Sequence, residues 1–161
     1  LDLRSLAADV IALQEQVEET LVTFVLEPKE APRVGFAVLG AETRLGQVLV
    51  NLITNAQSFS PDGGIIRVSL TREKGWITLV VEDQGPGIPE DRLTKIFSRF
   101  YTDRPEQDSF GRYSGLGLSI SQQIIDAHGG VILAENAERD GKVTGARLVV
   151  RLPEMPADFR L

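Results

Sequence analysis

The chain has 161 residues, enough for one domain with a substantial core, and its 42% hydrophobic content is that of an ordinary globular protein. Its formal net charge of −6 argues against a nucleic-acid-binding surface, which would need clustered basic residues. The sequence contains no cysteine, which excludes disulfides and thiol chemistry and suits a reducing cytoplasm. No apolar run approaches the roughly 18 residues that span a bilayer, and the start lacks the pattern of a signal peptide. We therefore expect a cytoplasmic fragment that does not insert into a membrane.

The first part of the chain is predicted to contain two helices and two short strands. Near the start, apolar residues recur at three- and four-residue steps, which indicates an amphipathic helix. We interpret this lead-in helix (residues 1–20) as packing on its own domain, and the alternative is a lead-out from a helical dimer stalk. The predicted elements are helix Asp2–Glu19, strands Leu21–Leu26 and Arg33–Leu39, and helix Glu42–Phe59.

The remainder is predicted to add two hairpins and two helices. The segment Glu73–Gly75 separates two β-rich runs as a hairpin turn would, and Gly129-Gly130 is a typical stop signal after a helix. The predicted elements are strands Ile65–Arg72 and Trp76–Glu82, helices Glu90–Phe97 and Gly115–His128, and strands Val131–Asn136 and Ala146–Leu152. This order favours a single domain (1–161) with one mixed β-sheet and helices packed on one face.

Three amides form a stripe on the second helix. Gln47, Asn51 and Asn55 are spaced four residues apart, so they lie on one side of a helix that is otherwise largely apolar. Amide oxygens that point into a pocket can hold a hard cation such as Mg²⁺. The alternative is a stripe that faces solvent.

An acidic, glycine-rich turn follows the predicted strand Trp76–Glu82. The ionised carboxylate of Asp83 only accepts hydrogen bonds, so it can bind the exocyclic amine of adenine, whereas guanine presents a carbonyl oxygen there. Gly85 and Gly87 allow the backbone to turn sharply and to approach a ligand closely. The alternative is a plain Asp-Gly turn.

A glycine-rich helix start and a polar loop complete the candidate features. Gly115 and Gly117 open a helix whose free amides and dipole suit a phosphate chain, although many ordinary helices also begin with glycines. The preceding polar segment Tyr101–Ser114 has the length of a functional lid. In or beside it lie three arginines that are either solvated surface or contacts for a γ-phosphate: Arg99, Arg104 and Arg112.

Four segments, in this order along the chain, resemble the motifs of the GHKL superfamily. They are Gln47–Ala56 (N box), Asp83–Gly87 (G1 box), Ile96–Tyr101 (the F box of histidine kinases) and Ser114–Ile120 (G2 box). The match extends over residues 42–152, and the F box and the spacing are similar to those of bacterial sensor histidine kinases. The resemblance implies the Bergerat ATP-binding fold, a two-layer α/β sandwich that binds ATP and Mg²⁺ between the N-box helix and a mobile lid.

The resemblance also implies a role for each matching residue. Asp83 would bind the adenine amine, and Phe59 would pack on the base. Asn55 and Asn51, which lie side by side near the phosphates, are the expected Mg²⁺ ligands. Asn51 and Arg99 are the expected catalytic residues. The expected ATP-binding residues are Asn55, Phe59, Asp83, Gly85, Gly87, Ile88, Arg112, Gly115, Leu116, Gly117 and Leu118.

Two positions differ from the family pattern. Ser58 stands where these kinases often carry Lys or Arg, so the missing charge must come from the lid arginines, or nucleotide affinity is modest. Ala146 stands where the family often has threonine, so a hydroxyl group near the base is missing.

The resemblance further implies a partner that carries the phosphoacceptor. The single histidine, His128, lies at the far end of the helix that begins at the phosphates, roughly 20 Å away at about 1.5 Å per residue, so we interpret it as a helix C-terminal residue. The acceptor would be a histidine on a separate dimerisation domain of the same kinase, and a response regulator would follow in the pathway. The isolated chain is therefore expected not to phosphorylate itself.

Two other functions stay open at this point. ATPases of the gyrase and chaperone type place a glutamate general base where this chain has Asn51, and an amide cannot accept that proton. A degenerate nucleotide-binding or docking module is the non-enzymatic alternative, and it is suggested by Ser58 and Ala146.

Overall fold

The computed structural model describes residues 1–16, 21–98 and 117–156, and within these ranges the chain forms three α-helices, two short 3₁₀ turns and one five-stranded sheet. The helices are α1 (Leu3–Glu15), α2 (Glu42–Phe59) and α3 (Gly117–Ala127), the 3₁₀ turns are Glu90–Arg92 and Lys95–Phe97, and the strands are β1 (Thr23–Glu27), β2 (Ile65–Glu73), β3 (Trp76–Glu82), β4 (Val131–Arg139) and β5 (Lys142–Pro153).

The sheet is mixed, with strand order β1-β2-β3-β5-β4. Only β1 pairs in parallel, with β2, and the other neighbours are antiparallel. Two-residue turns join both hairpins, at Lys74-Gly75 and Asp140-Gly141, and all four of these residues have positive φ. That backbone twist matches the twist of the strands it connects, which explains why a Gly occupies the second position of each turn.

The helices cover one face of the sheet. Alternate residues of β2 and β3, such as Ile66, Val68 and Leu79, are at most 1% exposed because they face the apolar side of α2. The opposite face carries a row of charges across the strands, in which Arg147 forms ion pairs with Glu82 and Glu135. The predicted two-layer α/β sandwich, with a mixed sheet and helices on one face, is therefore confirmed.

The predicted strand Arg33–Leu39 is wrong. Ala37 forms an isolated β-bridge with Asp2, and Val38 forms one with Glu154. Because each bridge involves a different part of the chain, the segment does not pair continuously with either part as a strand would. Phe36 and Val38 of this segment are nevertheless buried in the core.

Further element predictions differ from the structure in detail. The predicted strands Val131–Asn136 and Ala146–Leu152 are parts of the longer strands β4 (Val131–Arg139) and β5 (Lys142–Pro153). The predicted short helix Glu90–Phe97 is two separate 3₁₀ turns, a geometry common in short connectors. Helix α1 ends at Glu15, and residues 17–20 of the predicted lead-in helix lie outside the described residues. Within the described ranges, none of the helices has the length and apolar character needed to cross a bilayer.

Candidate nucleotide-binding site

Asp83 lies directly after β3, with only 5% of its surface exposed. Its Oδ1 accepts hydrogen bonds from the backbone N–H groups of Gly85 (2.9 Å) and Ala146 (3.1 Å). Among the described residues, no donor contacts Oδ2. One carboxylate oxygen is therefore fixed by the protein backbone, and the other is left for a ligand.

Burial also sets the protonation of this carboxylate. Loss of solvation raises the pKa of Asp83 above its ordinary value of 3.8, the N–H groups of Gly85 and Ala146 oppose that shift, and the negative charge of Glu82 adds to it. The ionised form thus costs solvation energy in the folded protein, and a hydrogen-bond donor supplied by a ligand would offset part of that cost.

Strand β5 approaches Asp83 closely because Gly145 has no side chain. A Cβ at Gly145 would overlap the backbone oxygen of Asp83. The backbone N–H of Asp83 in turn donates to the carbonyl oxygen of Ala146, 3.0 Å away. Although Ala146 lacks the hydroxyl noted above, its backbone supplies both a donor and an acceptor to Asp83.

The loop that follows Asp83 is fixed at its far end as well. Ile88 donates its backbone N–H to the Asn136 side chain and accepts from it through its carbonyl oxygen. Between the two ends, Gly87 has a φ of +81°, which favours glycine, and Gly85 lies against the backbone of Phe59. The structure thus brings together, near the end of the central strand β3, the predicted residues Phe59, Asp83, Gly85, Gly87 and Ile88.

Asn51 joins the two helices of the site. Its Nδ2 donates to the carbonyl oxygen of Gly117 (3.0 Å) and to Oγ of Ser121 (3.2 Å), and that hydroxyl donates to the same carbonyl (2.8 Å). Ser121 is completely buried. The amide group of Asn51 therefore fixes the start of α3 against α2.

Asn55 lies one helical turn after Asn51, half-buried, and its side chain has no hydrogen-bond partner among the described residues. The nearby hydroxyl of Ser58 donates to the backbone carbonyl of Asn55 (2.8 Å) and does not contact its side-chain amide. Gln47, the first amide of the stripe, is exposed, so the stripe runs from solvent into the site.

A Mg²⁺ site that includes Asn55 agrees with what the chain offers. The described residues contain no group of three or more His, Cys, Asp or Glu side chains that would form a metal cage of their own. Mg²⁺ commonly binds through one or two protein oxygens, with water and phosphate oxygens completing its shell. The side-chain oxygen of Asn55, which has no partner among the described residues, fits that pattern. Asn51 donates to Gly117 through Nδ2, and this bond does not involve Oδ1, the atom that a cation would contact.

Several predicted site residues lie outside the described residues. These are Arg99, Arg112, Gly115 and Leu116, together with the whole predicted lid Tyr101–Ser114. Of the predicted residues on α3, Gly117 contacts Asn51, and Leu118 is half-buried against the hydrophobic core.

His128 connects the far ends of the same two helices. Its Nδ1 lies 2.8 Å from the carbonyl oxygen of Ile124, and its Nε2 accepts the backbone N–H of Ala41 at 3.2 Å. Both contacts are satisfied by the neutral imidazole with its proton on Nδ1. The histidine ring therefore has a packing role next to the start of α2.

Sequence reasoning missed three residues that build the site: Ser121, Asn136 and Gly145. Asn136 carried a detectable signal, because it shares the core-facing side of β4 with Ile132 and Ala134, where an apolar residue is expected. The signal for Ser121 was weaker: it is a hydroxyl residue one helical turn after Gly117.

Comparison with known proteins decides the family. Residues 40–156, more than half of the chain, match the family described as histidine kinase-, DNA gyrase B- and HSP90-like ATPases. The chain belongs to this family. The GHKL affiliation predicted from the four motifs is confirmed.

Similar proteins within the GHKL family are sensor kinases. Sensor protein ChvG of Rhizobium meliloti (strain 1021) is 48% identical over 161 residues, which cover 96% of this chain and 28% of that protein. The solved mycobacterial sensor histidine kinase MprB has a TM-score of 0.81 at 28% identity, with 97% of each chain covered. The structure of histidine kinase ThkA in complex with response regulator protein TrrA has a TM-score of 0.74 at 32% identity, with 99% of this chain and 42% of that chain covered. The chain is thus a histidine-kinase-type ATPase domain that spans less than a third of ChvG.

Proposed function

We propose that this domain binds Mg-ATP and transfers the γ-phosphoryl group to a histidine on a separate dimerisation domain of the same kinase. The observation that carries the proposal is the nearly buried Asp83 carboxylate, whose Oδ1 is held by two backbone amides while Oδ2 has no donor among the described residues. An adenine amine is a donor of the right kind for that oxygen, and it would lower the cost of burying the charge.

The opposite end of the site supports the phosphate part of the proposal. The start of α3 is held beside α2 by Asn51, and the positive end of a helix dipole favours phosphate oxygens. Mg²⁺, when bound, would neutralise phosphate charge, and Asn55 is the side chain we assign to hold it. Arg99 and Arg112 are proposed phosphate contacts on sequence grounds.

The nucleophile must come from outside the described residues. In the transfer, a bond forms between the acceptor nitrogen and the γ-phosphorus while the bond from that phosphorus to the β–γ bridging oxygen breaks, and ADP leaves. The domain contributes mainly by holding ATP in line with the acceptor. His128 is unsuited to that role, because both its ring nitrogens contact the backbone near the distant ends of α2 and α3.

A clamp-type ATPase has less support. It would need a base to activate water, and Asn51 is an amide whose nitrogen already donates to Gly117 and Ser121. We therefore expect bound ATP to persist in the isolated domain.

Incubation with ATP labelled in its γ-phosphate tests this function. The isolated chain should remain unlabelled and release little phosphate, and addition of the histidine-bearing domain should move the label onto that partner. The matched control is the same partner with its acceptor histidine changed to alanine, which should stay unlabelled. Label on His128, or steady phosphate release that Asn51→Ala abolishes, would contradict the proposal.

The cellular setting is part of the same proposal. One solved relative is a histidine kinase in complex with a response regulator, which supports a response regulator as the next phosphoryl acceptor here. We place this domain in the cytoplasmic portion of a membrane-anchored sensor kinase, as a single domain over residues 1–161 with its motif-bearing core at 42–152.

A further inference from the structure

We propose that Asn136 is a positioning residue that holds the nucleotide loop, defined as residues 83–89, in its binding conformation. This inference rests on the function proposed above. It assigns a role to a side chain on β4 that lies outside the four motif segments.

The geometry of the contact carries the inference. Asn136 Oδ1 accepts the backbone N–H of Ile88 at 2.7 Å, and Nδ2 donates to the carbonyl oxygen of Ile88, also at 2.7 Å. Both backbone polar groups of one loop residue are thus satisfied by one side-chain amide. Only a side chain with a donor and an acceptor side by side can form this pair.

The placement of Asn136 on its strand fits the same role. Asn136 pairs in the sheet with Ala146, whose N–H holds Asp83, so neighbouring positions of β4 and β5 fix the two ends of the loop. One residue further along, the pairing register shifts between Ala137 and Glu138, where β5 contains one extra residue, Thr144. Such irregularities re-aim side chains near functional sites.

The loop is shaped to receive this amide. A Cβ at Gly87 would lie 2.9 Å from Asn136 Oδ1 and would overlap Val143, and the φ of Gly87 is +81°. The positive φ turns the chain so that the next residue, Ile88, presents both polar groups to Asn136. The contact between Ile88 and Asn136 therefore depends on the glycine at position 87.

The consequence concerns the nucleotide. Asp83 would stay attached to β5 without Asn136, but the segment from Gly85 to Ile88 would lose its second attachment. The nucleotide would then have to order that segment on binding, which lowers affinity without altering the folded core.

The test compares Asn136→Ala with Glu138→Ala, an exposed control on the same strand. The probe is a non-hydrolysable ATP analogue with Mg²⁺, titrated calorimetrically, and amide hydrogen exchange is measured on the nucleotide-free proteins. Asn136→Ala should weaken binding about tenfold, as expected for the loss of two hydrogen bonds. Exchange at Ile88 should accelerate while the amides of β3 and β5 stay protected, and the control should behave as wild type. If Asn136→Ala does not fold, Asn136→Leu keeps the volume without the hydrogen bonds.

Each outcome has a defined meaning. Unchanged affinity, unchanged exchange at Ile88, or faster exchange throughout β3 and β5 would overturn the positioning role. Failure of the proposed function is distinguishable from these results, because then the wild-type domain itself would not bind the analogue.

Discussion

The two ends of the nucleotide site are built differently. At the proposed base end, the nearly buried Asp83 accepts hydrogen bonds from Gly85 of the same loop and from Ala146 of β5. Ile88 forms two hydrogen bonds with Asn136 of β4. At the metal end, the side chain of Asn55 is half-buried and has no partner among the described residues. The proposed base end is therefore held by contacts within the fold, whereas the proposed metal end would obtain its contacts from the ligand.

This difference indicates that the two ends contribute differently to nucleotide binding and to phosphate coordination. A pre-ordered base end lowers the entropy that the nucleotide must lose on binding, so it favours affinity and base selection. A free amide at the metal end can adjust to phosphate oxygens and water around a cation. The two ends should consequently respond differently to substitution.

The largest expected effect is at the base end. Asp83→Asn keeps one oxygen to accept the N–H groups of Gly85 and Ala146, but it turns an amide donor toward the adenine amine. Affinity for an ATP analogue should fall about 100-fold, about 3 kcal/mol, while the fold remains intact. Calorimetric titration measures the affinity, and Asp62→Asn, in an exposed turn, is the matched control. Equal affinities of Asp83→Asn and wild type would disprove the assignment.

A smaller effect is expected at the metal end. Asn55→Ala should weaken binding of the analogue about tenfold when Mg²⁺ is present and change binding of adenosine little, because only the metal loses a ligand. Gln47→Ala is the control, since it removes an exposed amide from the same stripe. A similar loss for adenosine would mean that Asn55 serves the base or the fold.

The smallest expected effect concerns the stability of the fold, and it is the pH dependence of the unfolding free energy that Asp83 causes. Because burial raises the pKa of Asp83 above 3.8, the folded state binds the proton more tightly than the unfolded state does. Wild type should therefore lose unfolding free energy relative to Asp83→Asn as pH rises from below 3.8 through the raised pKa, and the difference should then stay constant. Urea unfolding of both proteins across this range measures it. If the unfolding free energy of wild type relative to Asp83→Asn were independent of pH, or rose with pH, burial would not control this carboxylate.

Local patterns in the sequence were sufficient for much of the architecture. The apolar periodicity and the turn after Phe59 defined α2 over its full length, Glu42–Phe59. The turn residues Lys74-Gly75 located the β2–β3 hairpin, and four motifs in order identified the GHKL family. These features depend on residues a few positions apart, so they can be detected in one sequence.

Contacts across the sheet and between helices were decided only by the tertiary structure. Ile88 and Asn136 are 48 residues apart in the chain, Asp83 and Ala146 are 63 apart, and Asn51 and Gly117 are 66 apart. Which of these groups meet depends on strand order, on register and on the bulge between β4 and β5. No local period in the sequence encodes these features. The same limit explains the error at Arg33–Leu39, because the backbone partners of this segment lie near residues 1–3 and 154–155, far from it in the sequence. The sequence by itself determined which residue types the site contains, and the packing of β4, β5 and α3 determined what holds each of them in place.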